Sequence, residues 1–244
     1  MSPKRNKDHD QDGMIWTWFD HNLDIDNRTI YMGSIETSEG VESGVDNYMA
    51  EYFIKGIHFL EKKSSKSGIN IIMNNPGGDW YHGMAIYDAI KYSPCPSTIK
   101  VYGYAMSMGG VILQAADKRV MMPNSTFMIH YGYSGSWGHS KTSEKWGEEN
   151  KRINFEMENI FIDAMLEKES QMGSGHLAKT LSSIVYEQKS REIPPPGPIS
   201  YSFSRNAKKK REEIRTVLKE LLNFDSILSA REAVDLGFAD EIYA

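Results

Sequence analysis

Residues 69–92 read INIIMNNPGGDWYHGMAIYDAIKY, and residues 98–116 read TIKVYGYAMSMGGVILQAA. In the first stretch, Ile69 to Met73 is a short apolar run of the kind buried on both faces of a parallel sheet. Asn75-Pro76-Gly77-Gly78 breaks it, and Tyr81 to Tyr92 then places apolar residues at helical spacing. The second stretch repeats the plan, with Thr98 to Tyr102 as strand, Gly103 to Met106 as turn and Ser107 to Ala116 as helix. Strands that alternate with helices predict crossover connections and an α/β fold with a largely parallel sheet. Ligands are expected beyond the carboxyl ends of such strands, where both glycine-containing turns fall.

Working outward, Thr29 to Met32 reads as a strand stopped by Gly33, and Val45 to Leu60 as a helix. Its apolar residues are Val45, Tyr48, Met49, Tyr52, Phe53, Ile57 and Leu60. Downstream, Arg119 to Met122 and Phe127 to Ile129 are short strands around Pro123-Asn124-Ser125. A long helix is predicted over about 142–168, where Trp146, Ile153, Met157, Ile160 and Ala164 form a stripe that needs a packing partner. Gly173, Gly175 and Ile193-Pro194-Pro195-Pro196-Gly197-Pro198 then predict an extended or loop-like insertion over about 169–207, peripheral to any catalytic centre. Helical periodicity returns at Arg211 to Leu222, and Ser229-Ala230-Arg231-Glu232 fits a capping box for a last helix that stops at Gly237.

With 244 residues, 40% hydrophobic and 25% charged, the chain suits one domain over 14–244. Its net charge of −5 gives no basic groove for nucleic acid. Cys95 is the only cysteine, so no intramolecular disulfide forms and a cytoplasmic home is expected. Residues 1–13 are charged and almost without apolar side chains, which predicts a disordered tail and no signal peptide. Asp8, Asp10, Asp12 and Gly13 mimic the opening of a calcium loop, but Phe19 occupies the twelfth position where a bidentate Glu is needed. No run approaches the roughly 18 apolar residues of a membrane span.

Amide hydrolysis needs an activated nucleophile, a proton acceptor and fixed donors for the oxyanion. Ser107 stands where a strand turns into a helix, so its hydroxyl projects at the helix start; an N-cap role accounts for it equally well. The spacing is not the Gly-x-Ser-x-Gly elbow of α/β-hydrolases. His130 ends the apolar strand Phe127-Met128-Ile129, which puts an imidazole at a strand terminus, although a histidine satisfying a local carbonyl is the commoner case. The other histidines show no metal-ligand spacing such as His-Glu-x-x-His, so no metal is expected.

Taken in order, Asn75-Pro76-Gly77-Gly78, Gly83-Met84-Ala85-Ile86-Tyr87-Asp88, Gly103-x-Ala105-x-Ser107-Met108-Gly109, Met122-Pro123-Asn124-Ser125 and Met128-Ile129-His130 resemble the successive signatures of the Clp protease proteolytic-subunit (ClpP) family. The resemblance implies a ClpP/crotonase-like fold with a protruding handle helix, to which 142–168 corresponds. It implies a serine endopeptidase with Ser107 as nucleophile, His130 as base and the backbone N–H groups of Gly78 and Met108 as oxyanion hole. Near the C-terminus, Asp225 followed by Leu228-Ser229-Ala230-Arg231-Glu232-Ala233 resembles the family's third triad member; Asp235 and Asp240 lie beyond that motif. No cofactor is implied. The implied partners are unfolded protein or peptide substrates, further copies in two stacked heptameric rings, and an AAA+ unfoldase driven by ATP, with no nucleic acid and no membrane.

Two departures stand out. His130 and Asp225 are 95 positions apart, more than the family usually uses, and residues 1–27 do not match the family's gating segment. The identity of an unfoldase partner therefore does not follow from the match at the site. The alternatives are a phage-type maturation protease without an unfoldase, a crotonase-like acyl-CoA enzyme, whose hydratase chemistry requires no Ser–His pair, and a catalytically silent ring subunit.

Overall fold

The structure, a computed structural model, describes residues 21–33, 35–36, 42–132, 140–190 and 197–244. The tail expected over 1–13 and most of the proline run lie outside the described residues. The central sheet follows from the apolar runs. Strands β1 (Leu23–Asp24), β2 (Thr29–Gly33), β5 (Ile69–Asn75), β6 (Ser97–Met106), β7 (Lys118–Met121) and β10 (Glu241–Ile242) are neighbours in that order. All of these pairings are parallel except β1 with β2. A separate hairpin joins β3 (Ile35–Glu36) to β4 (Glu42–Ser43).

Strand β6 is longer than its sequence suggests. Gly103 and the residues after it do not form a turn; they continue the strand past a register shift against β5 between Met73 and Asn75. The shift works because Gly103 adopts φ 74°, a left-handed conformation that costs glycine little. The sheet then forks, since the first half of β6 pairs with β7 and its second half with β8 (Thr126–Ile129).

Helix α1 (Asn47–Lys63) starts at Asp46, whose carboxylate accepts from Met49 N, and buries Met49, Phe53, Ile57 and Leu60. Tyr48 of the expected stripe is exposed instead. Helix α2 (Trp80–Lys91) is capped in the same way by Asp79, and α3 (Met108–Leu113) is a short buried helix after Ser107. The handle-like helix α4 runs over Ser140–Met172. Its Phe161 meets Phe127 and Phe238 with ring centroids 6.3 and 5.2 Å away, so one face of α4 is intramolecular core.

The expected loop-like insertion is corrected. Gly173 and Gly175 do end a helix, but α5 (His176–Lys189) begins at once and buries Leu177, Ala178, Leu181, Ile184 and Val185. The physical reason is an apolar stripe at positions three and four apart, which outweighs the Gly and Pro residues flanking it. Helix α6 (Ala207–Leu222) starts four residues before the expected Arg211, capped by Asn206. Strand β9 (Ser226–Ser229) leads into α7 (Ala230–Leu236), where Ser229 and Glu232 form the expected capping box and Gly237 ends the helix at φ 88°. Among the described residues, no helix is long and apolar enough to cross a membrane.

Candidate active site

The site gathers where the sheet forks. Ser107 follows the last residue of β6 and sits at φ 52°, ψ −122°, a region that residues with a Cβ rarely occupy. Such strain persists only where the surroundings over-determine it. Here Ser107 N donates to Met128 O at 2.9 Å, while Gly110 N donates to Ser107 O at 3.0 Å. Its side chain makes no capping hydrogen bond, so helix capping is not what the hydroxyl does. Instead Ser107 Oγ lies 2.8 Å from His130 Nε2.

His130 is the first residue beyond β8, and Asp225 the last before β9. The two strands pair antiparallel with Ile129 opposite Ser226, so one more step along the register sets Asp225 across from His130. Directly opposed residues hold their Cβ atoms about 5 Å apart, within reach of a side-chain hydrogen bond. Asp225 Oδ1 lies 2.9 Å from His130 Nδ1. Because a carboxylate only accepts, Nδ1 carries the proton of a neutral imidazole and Nε2 is left to accept from the Ser107 hydroxyl. The His130 side chain is 12% exposed, whereas that of Asp225 is 58% exposed. Asp240, which lies beyond the Asp225 motif, instead pairs with Arg119 at 2.5 Å beside β7 and β10, at the far end of the sheet order.

Gly77 and Gly78 pass close to this pair. A Cβ on Gly77 would lie 2.6 Å from Ser107 Cβ and 2.8 Å from Met106 O. Gly78, at φ 143°, faces Val45 so closely that a Cβ would press on its backbone N and O and come within 2.9 Å of its Cα. The short bridge between Val45 and Gly78 uses Gly77 O as acceptor and Asp79 N as donor, which leaves the Gly78 N–H out of it. Met108 opens α3, and the first N–H groups of a helix have no intrahelical acceptor. Asn75, fully buried, accepts from Gly77 N at 2.9 Å through Oδ1 and thereby shapes the turn.

Gly78, Met108, Ser107 and His130 line one cleft of about 570 Å³. Its far wall, which sequence reading does not assign, combines Val111 of α3 with Trp146, Ile153 and Met157 of α4. The α4 stripe thus divides, with Met157 buried and Trp146 half exposed. Glu149 bonds the lining residue Tyr81; Arg152, and then the Tyr81 hydroxyl that donates to it at 2.9 Å, hold its carboxyl down at about 2.

Comparison with known proteins bears on the same residues. The family described as Clp protease matches residues 30–176, which hold Ser107, His130, Gly78 and Met108 but not Asp225. The ATP-dependent Clp protease proteolytic subunit of Deinococcus radiodurans is 37% identical over 111 residues, 45% of this chain. The matched stretch spans about half, 54%, of that relative's length. The family match covers more than half of the chain, including β5, β6, β7 and β8 where the sheet forks, and the chain belongs to the Clp protease family.

Proposed function

We propose that this protein is a serine-type endopeptidase in which Ser107 attacks the peptide carbonyl, His130 takes its proton and Asp225 orients the imidazole. The observation that carries this reading is the relay of 2.8 Å and 2.9 Å from Ser107 through His130 to Asp225, opening on one cleft. As Oγ bonds to the carbonyl carbon, its proton passes to Nε2 and the carbonyl π electrons move to oxygen. The resulting oxyanion is held by the Gly78 and Met108 N–H groups, whose value lies in being fixed before the charge develops. Collapse of the intermediate expels the amine, which takes the proton from Nε2 and leaves an acyl-Ser107 ester. Water, deprotonated by His130, hydrolyses that ester. Asp225 stabilises the imidazolium present in both halves.

The apolar wall of Val111, Ile153 and Met157 suits an apolar side chain next to the scissile bond. Family membership supports the finer parts of the proposal, which are unfolded or peptide substrates, ring assembly around α4 and work with an ATP-driven unfoldase. The lone, buried Cys95 is in keeping with a reducing cytoplasm. A crotonase-type reaction has no use for the Ser–His pair, so labelling separates the two. A fluorophosphonate probe is expected to label the native protein at Ser107 and to leave Ser107→Ala unlabelled. Cleavage of short fluorogenic peptides should vanish in that variant while its melting temperature stays unchanged; undiminished turnover ends the reading.

A further inference from the structure

Immediately after His130, Tyr131 is held at both ends. Its backbone N–H donates to Leu222 O at the end of α6 at 2.8 Å, and its hydroxyl donates to Glu158 Oε1 of α4 at 2.7 Å. Glu158 is 3% exposed, and its other oxygen accepts from Arg215 of α6 at 2.7 Å. Arg215, 6% exposed, also donates to Asn159 Oδ1 at 2.8 Å and lies over the Phe155 ring at 4.5 Å. Lys219 and Glu212 complete the charges around the pair, 3.8 Å from Glu158 and 3.4 Å from Arg215 respectively.

A buried ion pair is a poor stabiliser, because desolvation consumes much of the Coulombic gain and apolar residues of the same size often serve as well. What such a pair does supply is a fixed geometry. That geometry is wanted here, since β8 ends at Ile129 and His130 lies one residue beyond the last pair of its register with β9. We propose that Tyr131, Glu158 and Arg215 form a positioning device that sets the His130 imidazole between Ser107 and Asp225. The device rests on the serine-peptidase reading above. Burial, and then the hydrogen bond to Glu158, push the Tyr131 phenol above its ordinary range, so it stays a donor at any working pH. Arg215 fixes the rotamer of Glu158, and Glu158 fixes the ring of Tyr131. The backbone that carries His130 is thereby pinned to α4 and α6 together. Through Leu222 O, α6, which follows the proline run, also meets the residue just after His130.

The test uses the full-length protein with Tyr131→Phe, which removes one oxygen and keeps the ring. A second variant, Glu158→Leu with Arg215→Met, removes both buried charges at once and so avoids an unpaired one. Active sites are counted by fluorophosphonate titration, and kcat and KM for a short fluorogenic peptide are expressed per titrated site. Both variants should lose about tenfold in kcat with KM within about twofold, because a misplaced base hinders the chemical step and not substrate binding. Probe reaction should slow by the same factor. A purely structural role would lower the number of titrated sites or the melting temperature without changing the rate per site. Wild-type kcat per titrated site in both variants would overturn the positioning role alone. A wild-type protein that the probe does not label would overturn the peptidase reading and this role with it.

Discussion

The second glycine after α4 creates a need that Glu169 meets, and removing that carboxylate should be costly. Gly175 is the N-cap of α5 and has no side chain with which to satisfy the first N–H groups of the helix. Glu169, 6% exposed near the end of α4, reaches across the turn instead. Its oxygens accept from Gly175 N at 3.0 Å, Leu177 N at 2.7 Å and Lys210 Nζ of α6 at 2.9 Å. Burial pushes this carboxyl up, yet the bonds from Leu177, Lys210 and Gly175 outweigh it and hold the group below its ordinary 4.5. Hydrogen bonds to a charged group contribute about 1.5–3 kcal/mol each, and opening a buried pair on one side costs about 3–5 kcal/mol. Glu169→Ala should therefore lose about 3–5 kcal/mol at pH 7, with Glu169→Gln losing about half as much because one acceptor remains. The guanidinium midpoint at unchanged slope measures it. Since the folded pKa lies below the unfolded one, the stabilisation is fully present above the unfolded value and is lost as pH falls through the folded one. The gap between native protein and Glu169→Ala should thus narrow below pH 4.5. A loss under about 1 kcal/mol at pH 7, or a gap that does not change on acidification, would refute the reasoning.

Two further changes follow from the same geometry. Gly78→Ala must push a methyl into the backbone of Val45 at φ 143°, so it should cost about 1–3 kcal/mol and abolish peptide cleavage even where Ser107 still folds into place. Normal turnover would show that the close approach of Gly78 to Val45 does not set the site. Replacing 172–205 by a short Gly/Ser linker deletes the buried Leu177, Leu181, Ile184 and Val185, a loss of roughly 6–12 kcal/mol of apolar burial against a total stability of about 5–15. The shortened protein should be recovered aggregated or without a cooperative melt; a soluble, probe-reactive product would restore the peripheral view of that segment.

Much of this was legible because it depended on short-range patterns. The apolar runs at 69–73 and 98–102 gave the parallel strands, and the Ser229–Glu232 capping box was written in four consecutive residues. Ser107 and His130 stood out through the resemblance of Gly103–Gly109 and Met128–His130 to Clp protease signatures, since their places at strand ends fit a helix cap and a carbonyl-bonded histidine as well. What could not be read was non-local. Ser226–Ser229 is too short and too polar to announce a strand, and only its partner β8 makes it one. The α5 helix was obscured by Gly173, Gly175 and the prolines around it, which are strong local breakers, whereas its stability comes from packing. The Tyr131–Glu158–Arg215 contacts join residues 27 and 57 positions apart, beyond any periodicity.

The pairing of β8 with β9 explains why the long interval between His130 and Asp225 need not disturb the site. The distance between the two side chains is set by a four-residue antiparallel register and not by the chain that connects them. Loop-closure entropy rises only with the logarithm of loop length, so added residues make such pairing little harder to form. They do have to bury what they bring. Helix α5 answers that by burying its apolar stripe in the core, and Gln188 near its end accepts from Ser226 Oγ at 3.2 Å, beside Asp225. Ser226 Oγ also lies 2.6 Å from Leu221 O, so its one proton is shared between α5 and α6 beside the acidic group. Extra sequence between base and carboxylate is thus converted into support for the strand that carries the carboxylate.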